Sequence, residues 1–134
     1  MLVSGTLALC LFLPVQNTRD DPATLQGEWV LVETADARRT DPGADSIRMI
    51  IQGETMTMFF AGTQTNRGTL VVDPSRKTLD MTFANGRKVL AVFELSGDVL
   101  TLCVAEAGNS RPATLNPRGG QWREKWKRVP SGHD

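Results

Sequence analysis

The residues with most chemical potential in this chain stand close to its end, in Trp122-Arg123-Glu124-Lys125-Trp126-Lys127-Arg128. Successive side chains of an extended strand point to opposite faces. An extended run here therefore puts the tryptophans and Glu124 on one side and Arg123, Lys125 and Lys127 on the other. A single-stranded nucleic-acid platform needs aromatics and cations on one surface. The alternation separates them, so the cations are expected on a solvated exterior. Glu124 is left on the tryptophan face, and if buried there it needs a partner. Two placements are open: against Arg128, four residues along the same face, or at an open rim.

Methionine and phenylalanine supply the second group, Met49, Met56, Met58, Met81, Phe83 and Phe93. Flexible, polarisable methionines adapt to irregular shapes and can line a pocket for an apolar molecule. A tightly packed core uses the same residues. Met49, Met58, Phe83, Phe93, Glu124 and Trp126 form the candidate ligand-contact set. Other chemistry is sparse, with one histidine (His133), two cysteines (Cys10 and Cys103) and no tyrosine. A zinc site or a histidine-based triad needs more than that. Asp20-Asp21 and the scattered glutamates show no pairing. No catalytic residue, metal ligand or cofactor is expected, and the protein is read as non-enzymatic. Cys103 falls on the outward parity between Leu102 and Val104, with nothing nearby in sequence to activate a thiol.

Lysine and arginine total 15, as do aspartate and glutamate, so the net charge is zero. Such a balance offers no field to steer a polyanion, and no nucleic-acid partner is expected. At 134 residues, 40% hydrophobic and 22% charged, the chain is one soluble domain's worth. Its beginning differs. No charge precedes Arg19, and Leu7-Ala8-Leu9-Cys10-Leu11-Phe12-Leu13 is an apolar run. Residues 1–18 read as a secretion signal; the competing reading is a buried N-terminal helix. The run falls short of the roughly 20 apolar residues a membrane span needs. The expectation is export to the periplasm, cell envelope or medium, with no membrane span after signal removal. Leu9 before Cys10 argues against lipid attachment, and Cys103 alone cannot form an internal disulfide. Residues 19–24 read as a linker, 25–129 as the domain and 130–134 as a tail.

Short alternating apolar runs fill the domain, over 26–35, 46–52, 55–60, 64–72, 78–84, 87–95, 99–104 and 121–129. Turn residues break the pattern about every ten positions. Asn85-Gly86 is the strongest hairpin signal, for a type I′ turn. Gln52-Gly53-Glu54, Ala61-Gly62, Asp73-Pro74-Ser75 and Ser96-Gly97-Asp98 also read as turns. The single helical candidate is one turn opened by Asp41-Pro42 within 36–45, and 106–120 must be irregular. An all-β, eight-stranded antiparallel up-and-down meander follows, and closure into a barrel would remove its exposed edges. Period-2 sorting places Trp29, Leu31, Ile47, Ile51, Leu70, Leu79, Leu100 and Leu102 inside with the methionine and phenylalanine stripe. Ile50, Phe59 and Leu90 point outward in this register.

Gly27-Glu28-Trp29 resembles the G-x-W opening of lipocalin-type barrels, and Arg128 stands where such barrels lay an arginine across that tryptophan. The resemblance makes Gly27, Trp29 and Arg128 a structural barrel floor, with ligand contact as the alternative use. From Leu25 to Val129 the chain further resembles a lipocalin-like domain family of planctomycete bacteria. The matching stretches are Leu25-Gln26-Gly27-Glu28-Trp29, Gly68-Thr69-Leu70, Asp73-Pro74-Ser75, Arg111-Pro112, Lys127-Arg128 and the run from Phe93-Glu94-Leu95 to Leu102-Cys103. That likeness implies a lipocalin-like barrel and export. The expected function is binding of a small apolar ligand at the barrel mouth. The alternative is a filled barrel serving as a structural or protein-interaction module of the envelope.

Overall fold

The computed structural model describes residues 25–36, 38–42 and 46–130. The signal, the linker, Cys10 and His133 lie outside them. Nine strands follow in order: β1 (Gly27–Ala35), β2 (Thr40–Pro42), β3 (Ile47–Gln52), β4 (Thr55–Phe60), β5 (Thr63–Asp73), β6 (Thr78–Phe83), β7 (Lys88–Ser96), β8 (Val99–Ala105) and β9 (Gln121–Arg128). From β3 to β9 each strand pairs with the next in antiparallel fashion. β9 then returns beside β1, from Arg123 opposite Ala35 to Arg128 opposite Trp29. β1 pairs in turn with β3. Eight strands thus close the barrel that the alternating pattern predicts.

The structure corrects two local expectations. Asp41-Pro42 opens no helical turn; it belongs to β2, which pairs with Glu33, Thr34 and Ala35. Proline disfavours the α region for the residue before it, and an edge strand tolerates its missing N–H. Asp36 turns the chain back, its Oδ1 accepting from the backbone N–H groups of Arg38 and Arg39 at 2.8 and 3.0 Å. The second correction concerns Asn85-Gly86. Gly86 has φ 89°, but Asn85 is not left-handed. The Gly86 N–H donates to the Phe83 carbonyl at 2.8 Å, and the Phe83 N–H donates to Arg87. This is a three-residue loop with glycine at its left-handed position. The left-handed pair that a type I′ turn needs occurs instead at Ala61 (φ 52°) and Gly62 (φ 85°), between paired Phe60 and Thr63.

The inward set fills the barrel. Trp29, Leu31, Met49, Ile51, Met56, Leu70, Leu79 and Met81 form one buried cluster with Val89, Ala91, Phe93, Leu100, Leu102, Val104 and Trp126. Strict alternation beyond Leu31 would carry Glu33 inside as well, and a bulge prevents this. Lys125 pairs with Glu33 but Trp126 with Leu31, leaving Val32 without a direct partner. The extra residue reverses the parity of β1. Glu33 turns outward to meet Arg123 at 3.6 Å and Lys125 at 3.7 Å, and Thr34 comes opposite Glu124.

The irregular connector between β8 and β9 is pinned to the barrel wall. Arg111 donates to Asp80 at 2.6 Å and to the Ala91 carbonyl at 2.9 Å, and its neighbour Pro112 is fully buried. Cys103, on the outward parity, is also fully buried. Burial pushes its thiol up from the ordinary value, against the opposing pull of Arg123 and a Val104 backbone hydrogen bond. We attribute that burial to the connector. Arg111→Ala should then cost about 1.5–3 kcal/mol, the usual worth of hydrogen bonds to charged groups. The same loss of restraint should speed modification of Cys103 by a disulfide reagent about tenfold or more. An unchanged modification rate would show that something else covers the thiol.

Candidate functional site

One end of the barrel is sealed. Trp29 lies there with no solvent exposure, and its indole N–H donates to the Leu25 carbonyl at 3.0 Å. The Arg128 guanidinium covers the ring 4.3 Å from its centroid. Arg128 also donates to the Gln26 carbonyl and pairs with Asp98 at 3.3 Å. Gly27 has φ 122°, and a side chain there would begin 3.4 Å from Arg128 Nη1. These groups saturate one another, so this end has little left to offer a ligand.

Towards the other end lies a chamber of about 80 Å³. Met49, Met56, Met58, Met81 and Phe83 line it from β3, β4 and β6, and Val89, Leu102 and Val104 from β7 and β8. Trp122, Glu124 and Trp126 come from β9, and Arg87 stands at the β6–β7 turn. Of the candidate contacts, Met49, Met58, Phe83, Glu124 and Trp126 meet here. Phe93 does not; it pairs with Leu102 and is buried in the core. Arg87 is an addition to the candidate set; it opens the run 87–95 with the inward parity of Val89 and Ala91, but its charge keeps it out of a set chosen largely for apolar side chains. Its guanidinium sits 5.9 Å from the centre of the Phe83 ring.

Glu124 gives the chamber its chemistry. Trp122 and Trp126 stand two residues to either side on the same face of β9. The Trp122 indole N–H donates to Glu124 Oε2 at 2.7 Å, and that of Trp126 to Oε1 at 3.0 Å. Arg128 is not its partner; the floor holds that guanidinium. Among the described residues no cation forms an ion pair with Glu124. Glu124 is half-buried and lines the chamber. Burial raises its carboxyl above the ordinary value of 4.5, with the two indole hydrogen bonds opposing. Two aligned donors hold the group in place, and they only partly replace the water it has lost.

This arrangement sets a pH dependence of stability. Below the unfolded value near 4.5, folded and unfolded chains both carry the proton, and the raised folded value contributes fully. As pH climbs through the folded value, the native state must ionise a desolvated group, and that contribution is lost. Glu124→Gln removes the titration. The stability of the wild-type protein relative to this variant should therefore decline as pH rises above about 4.5, followed by urea unfolding at each pH. A pH-independent difference would place the carboxylate in effective contact with bulk water.

A larger groove of about 410 Å³ runs along the outer wall beside Arg48, Ile50 and Phe59. It is open to solvent, and its Arg48–Glu28 ion pair, at 2.7 Å, is mutually satisfied. The smaller interior chamber is the stronger site because its acid lacks a counter-ion. Among the described residues no group of three histidine, cysteine, aspartate or glutamate side chains could hold a metal ion. No described helix is long and apolar enough to cross a membrane.

No protein-family model and no curated protein matches the chain. Solved structures share its fold, two of them from Bacteroides. A lipocalin-like protein from Bacteroides uniformis superposes with a TM-score of 0.56 at 14% identity, covering 78% of this chain and 98% of that one. The protein has a lipocalin-like fold. The second, an uncharacterized protein from Bacteroides eggerthii, gives a TM-score of 0.57 at 11% identity, with the same two coverages. At such identities the likeness of this lipocalin-like barrel to its neighbours is one of architecture.

Proposed function

We propose that this lipocalin-like barrel binds a small, largely apolar molecule at its open end and performs no catalysis. The single observation that supports this is the chamber itself. Its 80 Å³ is several times the roughly 10–15 Å³ that one water requires, and methionine and aromatic side chains dominate its walls. It is also small. An engineered cavity that takes benzene measures about 150 Å³, and drug-sized ligands occupy roughly 300–1,000 Å³. Only one end of a ligand fits inside, with the remainder leaving through the mouth. Membership of the planctomycete family, and export directed by residues 1–18, belong to the same proposal and rest on the sequence motifs.

The test is a panel of neutral probes: 1-butanol, 1-hexanol, benzene and short alkanes. Binding is read from the fluorescence of Trp122 and Trp126 and from thermal denaturation. A probe at a hundred times its dissociation constant stabilises the protein by about 2.7 kcal/mol. On a domain of this size that is a shift of several degrees. Met58→Trp, which fills the chamber, should abolish the response. Silence from every probe would favour the filled-barrel interaction module, for which pull-down from an envelope extract becomes the informative experiment.

A further inference from the structure

We propose that the group received in the chamber is a primary ammonium on a short apolar chain, held by Glu124. This rests on the chamber being a ligand site and adds the chemical class of the ligand's inner end. The observations concern how the Glu124 carboxyl is held and what surrounds it. Glu124 lines a partly open chamber whose walls are otherwise largely apolar, and both its oxygens are oriented by donors on its own strand. Each oxygen accepts one indole hydrogen bond and keeps capacity for another. The geometry is built before any ligand arrives, so an incoming donor orders nothing.

The competing ligand classes fit less well. A carboxylate or phosphate would face Glu124 with both indole N–H groups already engaged. A neutral alcohol can donate one hydrogen bond but leaves the acid without a counter-charge. An ammonium donates up to three hydrogen bonds and neutralises the carboxylate, a pairing stronger than neutral hydrogen bonds. Size points the same way, since about 80 Å³ admits an ammonium with a methylene or two and excludes bulkier heads. Arg87, among the described residues the only other charged side chain lining the chamber, lies near the Phe83 ring. It makes no ion pair with Glu124, and at the rim water and salt screen its repulsion.

Binding of n-butylamine, 1-butanol and butyrate to the wild-type protein, at matched ionic strength, tests the proposal. Butylamine should bind about tenfold or more tightly than 1-butanol, the difference expected for a hydrogen bond to a charged group, and butyrate should bind least. The preference should grow with pH through the titration of Glu124, because butylammonium displaces its proton; 1-butanol should show no such slope. In Glu124→Gln the ratio of the two affinities should fall towards one. If that variant does not fold, the pH slope on the wild-type protein decides alone. If 1-butanol binds and butylamine gains nothing over it, the ammonium assignment is overturned and the apolar-ligand reading stands. If neither binds, both are overturned.

Discussion

Trp29→Ala should lower the stability of the folded barrel by about 3–5 kcal/mol, the usual cost of truncating a large buried aromatic. Three losses coincide at that position. The ring is wholly buried, its N–H satisfies the Leu25 carbonyl, and its face carries the Arg128 guanidinium. The last contact is worth about 0.5–2 kcal/mol by itself. Arg128→Met, which keeps the stem and removes the charge, should therefore cost less than Trp29→Ala. Urea unfolding monitored by circular dichroism gives both values. Equal midpoints for wild type and Trp29→Ala would mean that the indole does not seal the barrel.

Trp126→Ala should destabilise by a similar amount, about 3–5 kcal/mol, because its side chain is only 1% exposed. Its second consequence is chemical. Glu124 Oε1 loses its donor, so the carboxyl should titrate still higher, and the missing indole joins its volume to the chamber. Benzene should then stabilise the variant more than the wild type. Trp126→Phe separates the two effects. It keeps most of the packing and removes the N–H, for an expected cost of about 1–3 kcal/mol. A phenylalanine variant with wild-type stability and an unmoved Glu124 titration would leave the hydrogen bond without energetic weight.

Much of this architecture is legible in the chain. Alternation over short runs, punctuated by glycine, asparagine and aspartate, gives eight strands with inward faces such as Met49-x-Ile51 and Leu100-x-Leu102. What alternation cannot show is a break in its own parity. The bulge at Val32 turns Glu33 out towards Arg123 and Lys125, and no residue type announces it. Asp41-Pro42 illustrates another limit. An aspartate before proline suits a turn as well as an extended edge, and only the presence of β1 alongside makes it a strand.

The candidate site was legible to a similar depth. Parity put Trp122, Glu124 and Trp126 on one face and left two placements for the acid, against Arg128 or at an open rim. The structure instead uses the reach of two indoles along the strand, and the floor retains the arginine. Phe93 has the right parity for the chamber and pairs with Leu102, which lines it, yet Phe93 itself is buried in the core and takes no part in the lining. Cys103 shows the converse, an outward residue that is nonetheless fully buried.

Closure of β9 upon β1 also fixes how the domain can be attached to anything else. Gly27 and Arg128 lie at the sealed pole, so polypeptide leaving residue 25 or residue 130 departs from there, and the aperture beside Glu124 looks the opposite way. Joining the two ends through a short peptide, with new termini cut at Ala61-Gly62, should leave every strand pairing in place.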